Sequence, residues 1–456
     1  MLVVSKEGVV SKRSNLKLIS VYIISGLVIG GVTLQTSLAT ATMPYIFERV
    51  NLTHLGAQMS STSNIQDPPI LSQDGRYVAF STNDPNIVNG DSNNAPDVFV
   101  RDRKLGQNVR ANVSDTGAQL PLGTEGFKMS ANGRFVAFKH YVQVTSMYAS
   151  NGMWQVYVRD LKNNTTETVS LSTTGDLSNS SISFFDISAD GRFVTFSTDA
   201  SNLVSGDTNN FSDIFIRDRK LGTTTLISKN SSGFVGNGSS VKPAISCDGS
   251  YVAFISSASD LAAGDTNGFA DVFLVDRLSN DNITNITING NNSSGGSGEV
   301  DLSCNGSTVV FQSHASNLVA NDTNSKLDLF AFNMVDSLIQ RVNLDSSNSQ
   351  SSTSIIQDRS TNVVDFSGRY IVFASNATDL TTGDTNGKTD VFLRDIVDGT
   401  TQIVTRRNSS TQTSDASYYS SISLDGSEVI FMSHDGGLVG GDTNNNGDIF
   451  TAKTGI

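Results

Sequence analysis

Six short phrases in this chain place oxygen-bearing side chains at a constant gap. They read GDSNNAPDVF from Gly90, GDTNNFSDIF from Gly206, GDTNGFADVF from Gly264, NDTNSKLDLF from Asn321, GDTNGKTDVF from Gly383 and GDTNNNGDIF from Gly441. The recurring trios are Asp91, Asn93 and Asp97; Asp207, Asn209 and Asp213; and Asp265, Asn267 and Asp271. The others are Asp322, Asn324 and Asp328; Asp384, Asn386 and Asp390; and Asp442, Asn444 and Asp448. Hard cations such as Ca²⁺ gather carboxylate, amide and backbone oxygens. A tight loop with Asp, Asn and Asp in this order could wrap one, helped by a backbone carbonyl between the last two. Ca²⁺ is therefore the expected cofactor. The loops lack a third acid and a distant bidentate Glu, so the expected affinity is modest, about 10⁻⁴–10⁻³ M. The competing reading is a plain turn, because Asp, Asn and Gly bond their own backbone and tolerate left-handed conformations. Both readings stand at this stage.

One segment is a natural control. After Phe138 the chain reads KHYVQVTSMYASNGMWQVYVRD, which keeps Asn151 and Gly152 and has neither acid. Gln155 stands where the last Asp belongs, and Trp154, the only Trp, precedes it. The following strand Val156-Tyr157-Val158 is kept, so the framework is expected to form without the acids. Trp154 is expected to fill a gap in the core ahead of serving as a contact.

Other chemistry-bearing residues give weaker signals. Asp102, Asp160, Asp218, Asp276 and Asp395 recur at one place, with Asn333 as a sixth, and Arg precedes at 101, 159, 217 and 394. An Asx turn with a nearby Arg is the expectation. His54, His140, His314 and His434 do not have zinc-ligand spacing. No G-x-S-x-G elbow exists, Ser239 and Lys242 form only a chance S-x-x-K, and no catalytic residue is assigned. Asn51, Asn112, Asn282 and Asn285 head Asn-x-Ser/Thr triplets, which an Asn/Ser/Thr-rich chain produces by chance. Cys247 and Cys304 occupy equivalent places in the repeat described below. A bridge needs Cα atoms within about 7 Å, so both would have to lie near a common axis; bridged and free thiols stay open.

The elements that position these residues repeat. SQDGRYVAF at Ser72, SANGRFVAF at Ser130, SADGRFVTF at Ser188, SCDGSYVAF at Ser246, SCNGSTVVF at Ser303, DFSGRYIVF at Asp365 and SLDGSEVIF at Ser423 carry glycines at 75, 133, 191, 249, 306, 368 and 426. The spacings are 58, 58, 58, 57, 62 and 58 residues. A period of this size marks a repeat architecture. Each unit reads as four strands. A short strand ends at the Ser before a tight turn, a second carries Val78 and Phe80 or their kin, a third follows the acidic phrase, and a fourth follows a turn near Gly106, Asn163, Gly222 or Gly399. Helical periodicity is absent. The fold class is all-β: a seven-bladed β-propeller of four-stranded antiparallel blades. The run from Asn289 to Gly298 is a flexible connector between blades. The last unit stops at its third strand, Asp448 to Thr451. Phe47-Glu48-Arg49-Val50-Asn51-Leu52 resembles the fourth strand Gln340-Arg341-Val342-Asn343-Leu344. The N-terminal strand is thus expected to complete the last blade and remove the open edge.

The Ser-x-Asp-Gly-Arg-Tyr-Val-Ala-Phe phrase resembles the repeat of the TolB-type, WD-like propellers of bacteria. With the GDTNG-x-x-DVFVRD phrase it resembles an exported subgroup carrying that repeat, over nearly all of residues 46–456. The resemblance implies a propeller and, from the name-giving family, a periplasmic protein that binds other envelope proteins. The chain departs from that family in showing no separate N-terminal α/β domain.

Charge and the first segment bound the setting. The formal charge is −13. Setting aside residues 1–41, with Lys6, Lys12, Arg13, Lys17 and Glu7, leaves 27 basic against 43 acidic residues, or −16. Such a body repels nucleic acid and anionic lipid. Residues 1–41 read as a cleaved signal peptide, with a signal anchor as the alternative: basic residues, an uncharged stretch from Leu18 to Ala41, then Ala39-Thr40-Ala41. No Cys follows the apolar run, which excludes a lipoprotein anchor. Residues 42–456 are expected to form a single β-propeller domain, secreted or periplasmic, monomeric and not membrane-inserted after cleavage. It is expected to bind protein or polysaccharide on one face as a scaffold. The alternatives are a propeller hydrolase or lyase acting on glycan or peptide, with its site at the channel mouth, and a TolB-like component of an envelope complex.

Overall fold

The computed structural model describes residues 45–60, 64–143, 152–288, 296–356, 363–407, 411–444 and 446–456. They fall in one compact unit, Thr42–Ile456. The expected export segment, Asn151 and most of the Asn289–Gly298 connector lie outside the described residues.

Seven antiparallel sheets follow in chain order, and the last contains the first strand. The chain is a seven-bladed β-propeller. In the sixth blade three strands form the sheet, and the innermost place is held by the bridge between Val364 and Ile371. Phe47–Arg49 pairs antiparallel with Asp448–Lys453, with Phe47 opposite Ala452, Glu48 opposite Thr451 and Arg49 opposite Phe450. The ring therefore closes by the predicted exchange, and no sheet edge is left at the seam. Arg103 of blade one clamps that seam, pairing with Glu428 at 2.8 Å and Glu48 at 2.5 Å.

The core explains why the two repeated phrases carry Phe. Phe80 lies opposite Phe99 in register, as do Phe196 and Phe215, and Phe254 and Phe273. Phe138 faces Tyr157 in blade two. Ring centroids sit from 5.6 Å apart at Phe373/Phe392 to 6.1 Å at Phe431/Phe450. Burying each ring is worth about 1.5–3 kcal/mol. A stacked pair adds about 0.5–1.5 kcal/mol. The turn glycines are needed for two reasons at once. Gly133 and Gly191 have φ of +70° and +73°, and Tyr77 and Phe135 of the preceding blades cover the places their Cβ atoms would take.

The Ser-x-Asp-Gly turns meet around the axis. Gln73 N–H donates to Ala131 O at 2.7 Å, Ala189 to Cys247 at 3.0 Å and Phe366 to Leu424 at 2.8 Å. At this level Cys247 and Cys304 form a disulfide, with Cα atoms 4.6 Å apart. That decides the alternative the sequence left open.

Register also sorts the two faces. Ser240, at the start of an inner strand, lies opposite Ser256, and Ser256 lies opposite Asp271. The acidic phrases, which join second to third strands, thus open on the same face as the starts of the inner strands. The disulfide lies at the other end. Blade two differs: its strands Phe135–Gln143 and Gly152–Asp160 are 9 residues each, against 6 for Tyr77–Thr82. Trp154 is half-buried and stacks edge-on against Tyr141 at 5.4 Å on this longer hairpin. It is thus not the fully buried gap filler expected, because the lengthened strands carry it past the core.

Candidate functional site

The last Asp of each acidic phrase has a structural task common to all blades. Asp97, Asp213, Asp271, Asp328, Asp390 and Asp448 are each 0% exposed, as is Gln155 in blade two. A polar residue just past the outermost strand donates to each: Asn112 to Asp97 at 2.5 Å, Ser228 to Asp213 at 2.6 Å, Asn343 to Asp328 at 2.6 Å and Asn51 to Asp448 at 2.7 Å. Thr287 and Thr405 do the same for Asp271 and Asp390 at 2.6 Å. The donor's oxygen then accepts the next backbone N–H, as Asn112 does from Val98 and Ser228 from Ile214. Ser170 reproduces the bond to Gln155 at 2.6 Å without any charge. The hydrogen bond offsets the cost of burying a polar group. Blade two shows that the negative charge is not required for it.

The Asn of each phrase caps its own turn. Asn209 accepts from Phe211 N–H at 2.9 Å and Asn386 from Lys388 N–H at 2.9 Å. In blades three to six its amide nitrogen donates to the inner carboxylate, as Asn209 does to Asp213 at 2.9 Å and Asn386 to Asp390 at 3.1 Å, while in blades one and seven it donates to Leu120 O and Met59 O. Asn93, Asn267, Asn324 and Asn444 likewise accept from the N–H two residues on. The amide oxygen is engaged by the turn, and Asn209 and Asn386 present N–H to the inner Asp.

The carboxylate pairs divide into two kinds. In blade one Arg110 reaches Asp91 at 3.2 Å and Asp97 at 3.1 Å. In blade five Arg341 reaches Asp322 at 3.1 Å and Asp328 at 3.6 Å. In blade seven Arg49, brought in by the N-terminal strand, reaches Asp442 at 3.0 Å and Asp448 at 3.1 Å. All three arginines occupy one register place, opposite the third-strand Phe99, Phe330 and Phe450. In blades three, four and six that place holds Leu226, Asn285 and Ile403. Among the described residues no Lys or Arg forms an ion pair with Asp207, Asp213, Asp384 or Asp390.

Electrostatics follow the division. Burial, with Asp207 adding a smaller repulsion, pushes the Asp213 carboxyl up to about 7. Burial also raises Asp207, Asp390 and Asp265, the last assisted by Asp271. Burial raises Asp97 and Asp448 as well, but there Arg110 and Arg49 pull the other way. Among the described residues no group of three or more His, Cys, Asp or Glu is arranged to hold a metal. Each loop offers two carboxylates.

The signal for the arginines was present in the sequence. Arg-x-Asn recurs in Arg49-Val50-Asn51, Arg110-Ala111-Asn112 and Arg341-Val342-Asn343. Two of these segments identify the closing strand, but pairing each Arg with an acid needs the folded register.

A second feature lies at the centre of the same face. A cavity of about 390 Å³ opens at the channel mouth, lined by side chains that do not repeat. Lys139 donates to Ser183 O at 3.0 Å and pairs with Glu125 at 3.7 Å. Lys242 pairs with Glu299, and Lys128 lies 3.8 Å from Asp186. The inner strands bulge here between Glu125 and Phe127 and between Val241 and Ala244. Lys242 takes a left-handed φ of +56° at the bulge, where blade two has Gly126 at +71°. Bulges re-aim side chains, and a left-handed non-Gly residue is held only by its surroundings. Reading by repeats misses this cluster, because residue type changes around most of the ring, although Asp186 and Asp301 hold the same place in blades three and five.

The remaining sequence candidates are structural. Asp102 accepts from Lys104 and Leu105 N–H, the expected Asx turn. Its Arg partner, however, is Arg76 at 2.6 Å, not Arg101, which bonds Asn108 at 3.0 Å. Arg134, Arg192 and Arg369 hold Asp160, Asp218 and Asp395 in the same way. Side chains of adjacent strand residues point to opposite faces, so a neighbour in sequence is the wrong partner. His54 bonds Asn86 O, His434 bonds Tyr418, and His140 is buried with its pKa lowered by burial. Asn51 and Asn112 are 0% exposed. Those two triplets therefore cannot carry glycans in the folded state.

No protein-family model matches this chain, and no curated protein matches it. Solved structures do resemble it. Oligogalacturonate lyase from Vibrio parahaemolyticus aligns with a TM-score of 0.52 at 12% identity, over 90% of this chain and 97% of that one. A prolyl endopeptidase aligns with a TM-score of 0.51 at 10% identity, over 82% of this chain and 47% of that one. TolB from Acinetobacter baumannii aligns with a TM-score of 0.37 at 15% identity, over 78% and 76%. At these identities the likeness shows the propeller fold alone.

Proposed function

We propose that this chain is a secreted or periplasmic binding and scaffold module. It recognises protein or polysaccharide with the face that carries the acidic loops and the channel mouth. Cations of the Ca²⁺ class stiffen the loops of blades three and six. One observation carries the cation reading. Where Arg49, Arg110 and Arg341 stand, the carboxylate pair is neutralised from within, and where Leu226 and Ile403 stand, no Lys or Arg among the described residues pairs with it. Two buried carboxylates side by side must share a proton or take up a cation. Asp207 with Asp213, and Asp384 with Asp390, would be the ligands, completed by water. Anchoring rigid loops on one face suits recognition, since binding residues concentrate on loops held by a scaffold.

Calorimetric melting with calcium and with chelator tests this. Millimolar Ca²⁺ is expected to raise the melting temperature by a few degrees through mass action. Replacing Asp207 and Asp213 by Ala reduces the rise. No shift at any calcium concentration up to about 10 mM, far above the affinity range of such loops, sinks the cation reading and leaves the loops as turns.

A second reading, a hydrolase or lyase acting on glycan or peptide, draws support from the non-repeating lysines and acids at the channel mouth. Turnover of polysaccharide or peptide libraries, abolished by Lys128→Met or Lys242→Met, would establish it over the scaffold. A TolB-like role in an envelope complex would show as co-purification of envelope proteins with the chain.

A further inference from the structure

We infer that the channel mouth binds an amino sugar, with its ammonium group held by Asp301. This rests on the reading of the loop face as the recognition face with polysaccharide among its partners, and names the ligand. The cavity of about 390 Å³ falls in the size range of small-molecule sites. Asp301 forms its floor, lining both this cavity and a smaller void of about 60 Å³ beneath it beside the disulfide.

The lysines of the mouth are already engaged. Lys139 is held by Glu125 and Ser183 O, Lys242 by Glu299, and Lys128 by Asp186. Asp301 differs. Its carboxylate accepts from Val363 N–H at 2.6 Å and Leu302 N–H at 2.9 Å, and no Lys or Arg among the described residues lies within ion-pair distance. The two backbone donors fix the direction of the carboxylate and leave further lone pairs. Burial raises its pKa, Lys128 is the main opposing influence, and Asp186 adds to the rise. Asp301 is half-buried at the cavity, and an ammonium group is a partner suited to such an oriented carboxylate, through a charge-assisted hydrogen bond.

The walls select the carrier. Phe127 and Phe185 are buried, and Phe184 is 42% exposed beside the opening. An aromatic face suits the apolar C–H face of a sugar ring and also attracts a nearby cation. The rim carboxylates of Glu125 and Glu299 can accept from sugar hydroxyls. An anionic sugar is disfavoured twice. It would have to break existing lysine pairs, and it would approach a body of net charge −16 after residues 1–41.

The test is titration calorimetry of the whole chain near pH 7 with glucosamine, N-acetylglucosamine, glucose and Nα-acetyl-lysine amide. Glucosamine is expected to bind with a Kd of about 1 mM or tighter, the range open to a monosaccharide-sized ligand. N-acetylglucosamine and glucose, which lack the charge, bind at least about 10-fold more weakly. Asp301→Asn weakens glucosamine by about 10–100-fold. Phe184→Ala, a change at the rim, weakens it several-fold and guards against a folding defect in the first variant. Equal binding of glucosamine and its acetylated form overturns the proposal. So does binding of the lysine amide alone, which points to a peptide amine, or silence in every arm. The calcium response of the same samples, melted without sugar, reports the loop proposal independently, so the two failures are told apart.

Discussion

The acidic loops of blades five and three share phrase, backbone and turn, yet they solve one electrostatic problem in opposite ways. In blade five Arg341 enters from the outermost strand and lies against Asp322 and Asp328, and all three side chains are 4% exposed or less. In blade three Leu226 takes the same place, and among the described residues Asp213 has Ser228 and Asn209 as side-chain donors. The first loop carries its cation in the sequence. On the proposed reading the second takes one from the solvent, so that its stability would depend on what is dissolved there. The difference teaches that a repeated motif need not have a repeated function, because the deciding residue lies outside the motif.

The largest test breaks the self-neutralised kind. Arg341→Ala leaves two buried carboxylates without a cation and is expected to cost about 3–5 kcal/mol in urea unfolding. If the two kinds differ only in the source of the cation, millimolar Ca²⁺ recovers part of that loss. A cost below about 1 kcal/mol, the scale of an exposed pair, means that the Arg is not the internal cation.

The next test uses pH in the presence of chelator. Asp213 is raised from 3.8 to about 7. Between those values the folded state holds the proton more firmly than the unfolded chain. Its contribution to stability is therefore full below about pH 4 and is lost as pH rises through about 7. Melting temperature should fall across that window without calcium and fall less with it. Asp213→Asn should remove this part of the slope. An unchanged slope in the variant assigns the effect to other groups.

A smaller effect sharpens the comparison from the other side. Leu226→Arg installs in blade three the residue that blades one, five and seven carry. It is expected to diminish the calcium-induced rise in melting temperature while leaving the calcium-free protein equally or more stable. A full calcium response in that variant means that blade three contributes nothing to it. The smallest effect on the calcium response comes from Asn209→Ala. Loss of its bonds to Phe211 N–H, Asp213 and Gly236 O should lower stability by about 1 kcal/mol each and leave the calcium response intact. Loss of the response would make Asn209 a ligand.

Much of the architecture was legible because it is written locally and repeated. The glycine spacing gave the blade count, and the Val-x-Phe alternation gave the strands whose rings now pair, as Phe80 does with Phe99. The likeness of Phe47–Leu52 to a fourth strand gave the closure. The candidate site was legible only in half. The acids stood out, since each trio lies within a few residues. Arg110 and its kin did not, because pairing across strands depends on register. The mouth cluster was missed, because Lys128, Asp186 and Asp301 hold one repeat place whose residue type changes around the ring, and Lys242 enters from a bulge.

The sequence by itself determined the period, the strand pattern and the seam, since these depend on neighbours in the chain and on one face being apolar. Only the tertiary structure decided which carboxylates own a cation, that Cys247 meets Cys304, and that Asp301 faces a cavity. Those outcomes depend on distances between residues far apart in the chain. Arg49, the extreme case, reaches Asp442 and Asp448 only because the ring has closed.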